Sequence, residues 1–188
     1  SLVEELEKLV EENERNMREL DKENRDIVEK NRENVERNER ELRKLVERLE
    51  RRIREVVRTK SDSEELKRIA EEVIRRVREL VKEVKRIAEK SIRDTDRLVK
   101  EVSEVNKKSI EDVKRLVDTV RRVTSDERLE EIVREVKERI KRSNDEANKE
   151  NKRTLDEIRD SNRDVNRVSK EVLDEIRRLL KELEDAAK

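Results

Sequence analysis

Glycine and proline are both absent from this chain of 188 residues. Average soluble proteins carry them at roughly 7% and 5%. Their loss removes the usual turn chemistry and limits the chain to very few turns. Cysteine is absent too, which excludes a disulfide framework and thiolate chemistry. Histidine is missing as well, so the usual zinc, copper and haem ligands are gone. There is no Phe, Trp or Tyr on which single-stranded nucleic acid would stack. Neither sign of charge is in excess: 52 Lys and Arg face 52 Asp and Glu, where a nucleic-acid binder needs a basic surplus. No apolar run approaches the ~20 residues of a membrane span, no signal-peptide core is visible, and the polar faces mix both signs. The expectation is no cofactor, no metal, no nucleic acid and no membrane partner, with soluble, cytoplasmic behaviour on recombinant expression.

What remains is charge and aliphatic carbon. Charged residues make up 55% of the chain, a composition that can leave a polypeptide disordered. Leu, Ile and Val nevertheless supply about 27%, above the ~20% that marks disorder, and they are strongly ordered along the chain. In the first third a seam runs Leu2, Leu6, Leu9, Asn13, Asn16, Leu20, Asn24, Ile27, Asn31, Asn34, Asn38, Leu42, Leu45, Leu49, Ile53, Val56. Steps of three and four mark one face of a helix. The second third repeats the seam from Leu66 to Val120, and the last third from Leu129 to Leu183.

Within each third, one position recurs every 18 residues: Leu2, Leu20, Asn38, Val56; Leu66, Val84, Val102, Val120; Leu129, Ala147, Val165, Leu183. Eighteen residues fill five turns at 3.6 per turn, the pitch of a straight helix, whereas a heptad imposes a left-handed supercoil. The spacing predicts an all-α fold: a long, antiparallel, up-down-up three-helix bundle of nearly straight helices. It forms one elongated, rod-like domain over residues 1–188, with helices near 2–59, 63–123 and 126–186. Each helix should be about 85–90 Å long. Apolar residues beside the seam, such as Ile74, Val81, Ile92, Val99, Ile110 and Val117, widen the stripe to suit two neighbours. Ser61 with Glu64, or Asp62 with Glu65, is the expected capping box of the second helix. Thr124 with Glu127, or Ser125 alone, is expected to cap the third. Loops this short make consecutive helices antiparallel neighbours.

Polar residues on the seams need a reason. Six of the twelve Asn lie on the inward face of the first helix: Asn13, Asn16, Asn24, Asn31, Asn34 and Asn38. A buried amide without a partner costs a few kcal/mol, so each needs a polar group at its own height. An antiparallel second helix sets Leu2 level with Val120 and Val56 with Leu66; a parallel third helix sets Leu2 level with Leu129. In that register Asn16 meets Asn106 and Ser143, with Ser109 and Asn144 within a turn. Asn24 meets Asn151, with Thr95 nearby. Asn31 meets Ser91, Asn34 meets Ser161 beside Asn162, and Asn38 lies next to Asn166. These residues are expected to form a structural polar network banded between aliphatic layers. Asn at such positions sets register and pairing at a cost in stability.

No catalytic constellation is visible. Ser and Thr have no His to activate them, Lys residues lie on highly charged faces, and carboxylate pairs are too common on those faces to be informative. Met17 is expected to fill the core.

The 18-residue repeat, the layered Asn/Ser/Thr sets, the short Ser/Asp loops, the equal charges and the start at Ser1 together resemble de novo designed parametric helical bundles with buried hydrogen-bond networks. Natural three-helix rods such as spectrin repeats fit less well, because their core aromatics are missing. The resemblance implies a structural or assembly scaffold without enzymatic activity, needing no partner. The alternative is an interaction module that completes its bundle by self-association or with another helical chain. The first helix bears on that choice: between Glu11 and Glu41 its only apolar residues are Met17, Leu20, Ile27, Val28 and Val35. Six amides there outnumber the single Asn106 of the second helix, which leaves some of them available to another chain or to water.

Overall fold

The computed structural model describes residues 1–60, 62–122 and 126–188, without the side chains of residues 126 and 127. It is an all-α bundle of three helices: α1 (Leu2–Thr59), α2 (Glu64–Arg121) and α3 (Asp126–Ala186). These bounds lie within two residues of the sequence expectation. Helix continuity follows from composition: Glu, Lys and Arg are good helix formers, and no Gly or Pro interrupts them. Pairs at i,i+3 and i,i+4 lace the outer faces, among them Arg18–Glu14 at 2.6 Å and Arg178–Glu182 at 2.6 Å.

The α1–α2 turn is made without glycine. No described residue has a positive φ. Lys60 N donates to Val56 O at 3.0 Å and Ser63 N to Lys60 O at 3.1 Å, which closes α1 and reverses the chain. The cap of α2 differs from expectation. Leu66 N donates to Ser63 Oγ at 3.2 Å, so Ser63 is the N-cap and Asp62 with Glu65 is not the box. A carbonyl bond to Ser63 N places this hydroxyl at the true entry point, one residue beyond Asp62. The Ser61, Thr124 and Ser125 alternatives lie outside the described residues. Ser1 caps α1 in the same way, with Glu4 N donating to Ser1 Oγ at 3.3 Å.

The chain divides into two compact units, each a three-helix bundle. The first holds residues 1–29 and 94–159. Its aliphatic core joins Leu6 of α1, Val113, Val117 and Val120 of α2, and Val133, Val136 and Ile140 of α3. Met17 is fully buried in this unit. The second holds residues 30–93 and 160–188. Its larger core joins Leu42, Leu45, Leu49, Ile53 and Val56 to Leu66, Val73, Val77, Leu80 and Val84, and to Val172, Ile176, Leu179 and Leu183. Among the described residues no large apolar side chain is fully exposed. The same residues contain no helix long and apolar enough to cross a membrane.

Candidate functional site

In the first unit two polar layers interrupt the aliphatic core, and each touches all three helices. In the outer one, Asn13 Nδ2 donates to Ser109 Oγ at 3.2 Å and to Asn144 Oδ1. Ser109 and Ser143 share a hydroxyl–hydroxyl bond of 2.9 Å. In the inner one, Asn24 Nδ2 donates to Asn151 Oδ1 at 2.8 Å. Asn151 and Asn106 exchange amides: Asn151 Nδ2 reaches Asn106 Oδ1 at 2.6 Å and Asn106 Nδ2 reaches Asn151 Oδ1 at 3.1 Å. Asn106 Nδ2 also donates to Asp21 Oδ1 at 2.6 Å, and Asn151 Nδ2 to Ala147 O of its own helix at 2.7 Å. Asn106 and Asn151 are fully shielded from solvent. Thr95 and Thr154 are also buried in this unit.

The second unit has one such layer and one flank. Asn31 Nδ2 donates to Ser91 Oγ at 3.3 Å, and Ser91 and Ser161 bond at 2.7 Å. Aliphatic packing of Val35, Ala88 and Val165 resumes beyond it. On the α1–α3 flank Asn34 Nδ2 donates to Asn162 Oδ1 at 2.6 Å and Asn166 Oδ1 at 2.7 Å, and Asn38 Nδ2 to Asn166 Oδ1 at 2.9 Å. Asn34, Asn38 and Asn162 are only half-buried. A similar flank in the first unit joins Asn16 Nδ2 to Asn148 Oδ1 at 3.1 Å.

Three bonds lie at the expected heights. Asn13–Ser109 and Asn31–Ser91 keep the level that sets Leu2 against Val120, and Asn24–Asn151 the level that sets Leu2 against Leu129. Two expected partnerships differ: Asn16 does not join Asn106 and Ser143, and Asn34 meets Asn162 and Asn166 while Ser161 bonds Ser91. Asn13 and Asn31 are 18 residues apart and share an azimuth, which points inward. Asn16 and Asn34, also 18 apart, sit about 60° further round and face α3 at the surface. All six α1 amides therefore donate to groups of this same chain, and three of them, Asn13, Asn24 and Asn31, are themselves buried.

Sequence reasoning missed Asp21. It receives Asn106 from α1, three residues before Asn24. A signal was present: α1 uses Glu almost throughout, and only Asp21 and Asp26 break that habit. Asp is the poorer helix former, so its use in mid-helix marks a requirement for the shorter arm.

Apart from the Asp21 carboxylate, the chemistry of these layers is that of neutral amides and hydroxyls, which hydrogen-bond without titrating. Two acceptors, Asn13 Oδ1 and Asn24 Oδ1, are buried with no protein partner. The other titratable groups sit outside, and some of their ion pairs tie helix to helix. A hydrogen bond from Lys137 at 2.8 Å, together with its charge, holds the Glu5 carboxyl below its ordinary 4.5. Arg18 by hydrogen bond and Lys114 by charge do the same for Glu14; for Glu175 the hydrogen bond from Arg178, helped by the charges of Arg178 and Arg76, outweighs the opposing effect of burial. Among the described residues no group of three His, Cys, Asp or Glu side chains gathers where a metal ion could be held.

No protein family, curated protein or solved structure matches this chain.

Proposed function

We propose that this chain is a designed helical scaffold without enzymatic activity, and that its amide layers specify which helices pair. The observation that carries this reading is that every seam amide of α1 donates to a group on α2 or α3 of the same chain. The strict 18-residue repeat and the lack of any matching protein support a designed origin.

The physical logic is degeneracy. Aliphatic seams that repeat every 18 residues pack nearly as well after a slip of one repeat, about 27 Å. Amides do not. A slip of α3 in one direction would set Asn24 against Val133, and in the other against the lone hydroxyl of Ser169. The same slip of α2 would set Asn31 against Val73 or Ser109. A buried amide facing Val loses its partner at about 1–3 kcal/mol. Four residues separate α1 from α2, and such a connection spans at most about 14 Å. A full slip is thus closed to helices of one chain and open to helices of different chains. The layers therefore act chiefly against intermolecular pairing.

Light scattering tests this. The native chain should run as a single species near 22.8 kDa at micromolar concentration. The triple variant Asn24→Leu, Asn106→Leu, Asn151→Leu should populate multiples of that mass. A triple variant that stays as cleanly monomeric as the native chain would remove the pairing role.

A further inference from the structure

The second unit carries an apolar groove on the outer side of α1 and α2. Its floor is Val46, Leu49 and Ile53 of α1 with Ile74, Val77 and Val81 of α2, and its volume is about 560 Å³. Leu49, Ile53 and Val77 belong to the buried core, whereas Val46, Ile74 and Val81 are only half-buried and flank it. The floor is part of a pattern. Ile74, Ile92 and Ile110 recur every 18 residues, as do Val81, Val99 and Val117 on α2 and Val10, Val28 and Val46 on α1. A three-helix core needs a stripe wide enough for two neighbours. Val46, Ile74 and Val81 lie at its outer margin, with solvent above them.

Charge says what fits over this floor. The rim carries Arg54, Arg78, Lys82 and Lys85 against the single acid Glu50. Arg54 is already paired with Glu50 at 3.7 Å. Arg78, Lys82 and Lys85 are exposed along the α2 side, where the groove itself offers them no acid besides Glu50; Glu71 and Glu79 stand on the adjoining face beside Arg78 and Lys82. The rim of this groove is therefore locally positive in a chain whose net charge is zero. The corresponding α1–α2 groove of the first unit contrasts with it. There Glu7, Glu11 and Asp118 outnumber Lys114 and Arg121, and Arg121 already holds Glu7 at 2.8 Å and Asp118 at 3.2 Å.

We infer that the groove over Val46, Ile74 and Val81 docks an amphipathic helix of another protein, with an aliphatic stripe and acidic flanks. The floor from Ile74 to Val81 covers two helical turns, about 10 Å, and the rim continues one turn further to Lys85. It would take aliphatic side chains at i, i+4 and i+7 of the visiting helix, with Glu or Asp at flanking positions against Arg78, Lys82 and Lys85. A second copy of this chain fits poorly. A two-fold contact through this face would set the three cations against themselves. Aliphatic contact supplies the affinity, and the rim selects the sign of the visitor.

The test uses the full chain and two fluorescent synthetic helices of about 21 residues, six turns. They share one Leu stripe and differ only in Glu or Lys flanks. The Glu-flanked peptide should bind saturably, one per chain, and the Lys-flanked peptide should not. Charge reversal at Arg78→Glu, Lys82→Glu and Lys85→Glu should weaken the Glu-flanked peptide by at least about tenfold and admit the Lys-flanked one. These positions are exposed, so circular dichroism should report unchanged helicity. Ile74→Asp should abolish both. Equal binding of the two peptides, no binding up to about 100 µM, or indifference to charge reversal would overturn the inference. So would a native chain that dimerises and is returned to monomer by Ile74→Asp, since a second copy would then occupy the groove.

Discussion

The inner layer of the first unit makes an ordered prediction about single substitutions. Leu branches at Cγ as Asn does, so Asn→Leu removes polarity with little change of shape. Asn151→Leu should be the most damaging of the three. It strips Asn24 of its one partner and leaves Asn106 Oδ1 empty, while Asn106 Nδ2 keeps Asp21. Two buried groups left unpaired cost about 1–3 kcal/mol each, and burial of Leu returns about 1.5–3 kcal/mol. The net loss is about 2 kcal/mol. Asn106→Leu should cost less, because Asn151 keeps Asn24 as donor and Ala147 O as acceptor. Asn24→Leu should be nearly neutral, because its Oδ1 is already buried without a partner and disappears with the substitution. The triple variant leaves no buried amide unpaired in this layer. Its stability should match or exceed the native chain by up to about 3 kcal/mol after overpacking of about 1–3 kcal/mol is charged against it. Guanidinium unfolding followed at 222 nm measures this; with a slope of about 4 kcal/mol per molar, a 2 kcal/mol loss shifts the midpoint by about 0.5 M. A triple variant whose change equals the sum of the singles within about 0.5 kcal/mol would refute the coupling. So would Asn24→Leu costing as much as Asn151→Leu.

Two further outcomes rest on other parts of the bundle. Ser169 Oγ is buried in α3 of the second unit with no partner, so Ser169→Ala should be neutral or stabilising by up to about 1 kcal/mol, read by the same unfolding curve. The carboxyls of Glu5, Glu14 and Glu175 lie below 4.5 in the folded chain. A depressed folded pKa contributes stability above the unfolded value and loses it as pH falls through the folded one. With no His to titrate between about pH 5 and 8, melting temperature should be flat there and decline gently below 4.5. One molar salt should shrink that decline, because these pairs are at the surface; a steep change between about pH 6 and 8 would contradict the assignment.

Axial position was legible in the residues, and azimuth was read too loosely. The 18-residue recurrence of Leu2, Leu66 and Leu129 sets relative heights, and the bonds Asn13–Ser109 and Asn24–Asn151 fall at them. Asn16 was misplaced because a seam of threes and fours spreads about 60° to either side of its centre. Its partner is therefore the exposed flank amide Asn148 and not the central Asn106. Asp21 was hidden for a related reason, since one carboxylate among 52 looks like solvated surface until its facing amide is known. The Ser63 cap was missed because three candidate caps stand in a row at Ser61, Asp62 and Ser63, and only backbone geometry decides between them. The groove at Val46, Ile74 and Val81 was visible only as a wide stripe. Which of its residues face a neighbour and which face water depends on the packed structure.

The inner layer has a direction. Asn24 of α1 donates to Asn151 of α3, Asn151 exchanges with Asn106 of α2, and Asn106 donates to Asp21, back on α1. The bonds form a loop that begins and ends on one helix. An isolated α1–α2 hairpin would hold only the Asn106–Asp21 link, and an α1–α3 pair only Asn24–Asn151. Each would leave an amide facing an empty slot. An α2–α3 pair would keep the Asn106–Asn151 exchange, but the whole set of bonds is made only when all three helices are present. Such a belt makes docking of the three strands of the bundle a joint event. It raises the cooperativity of assembly even where it adds nothing to the final depth of the native well.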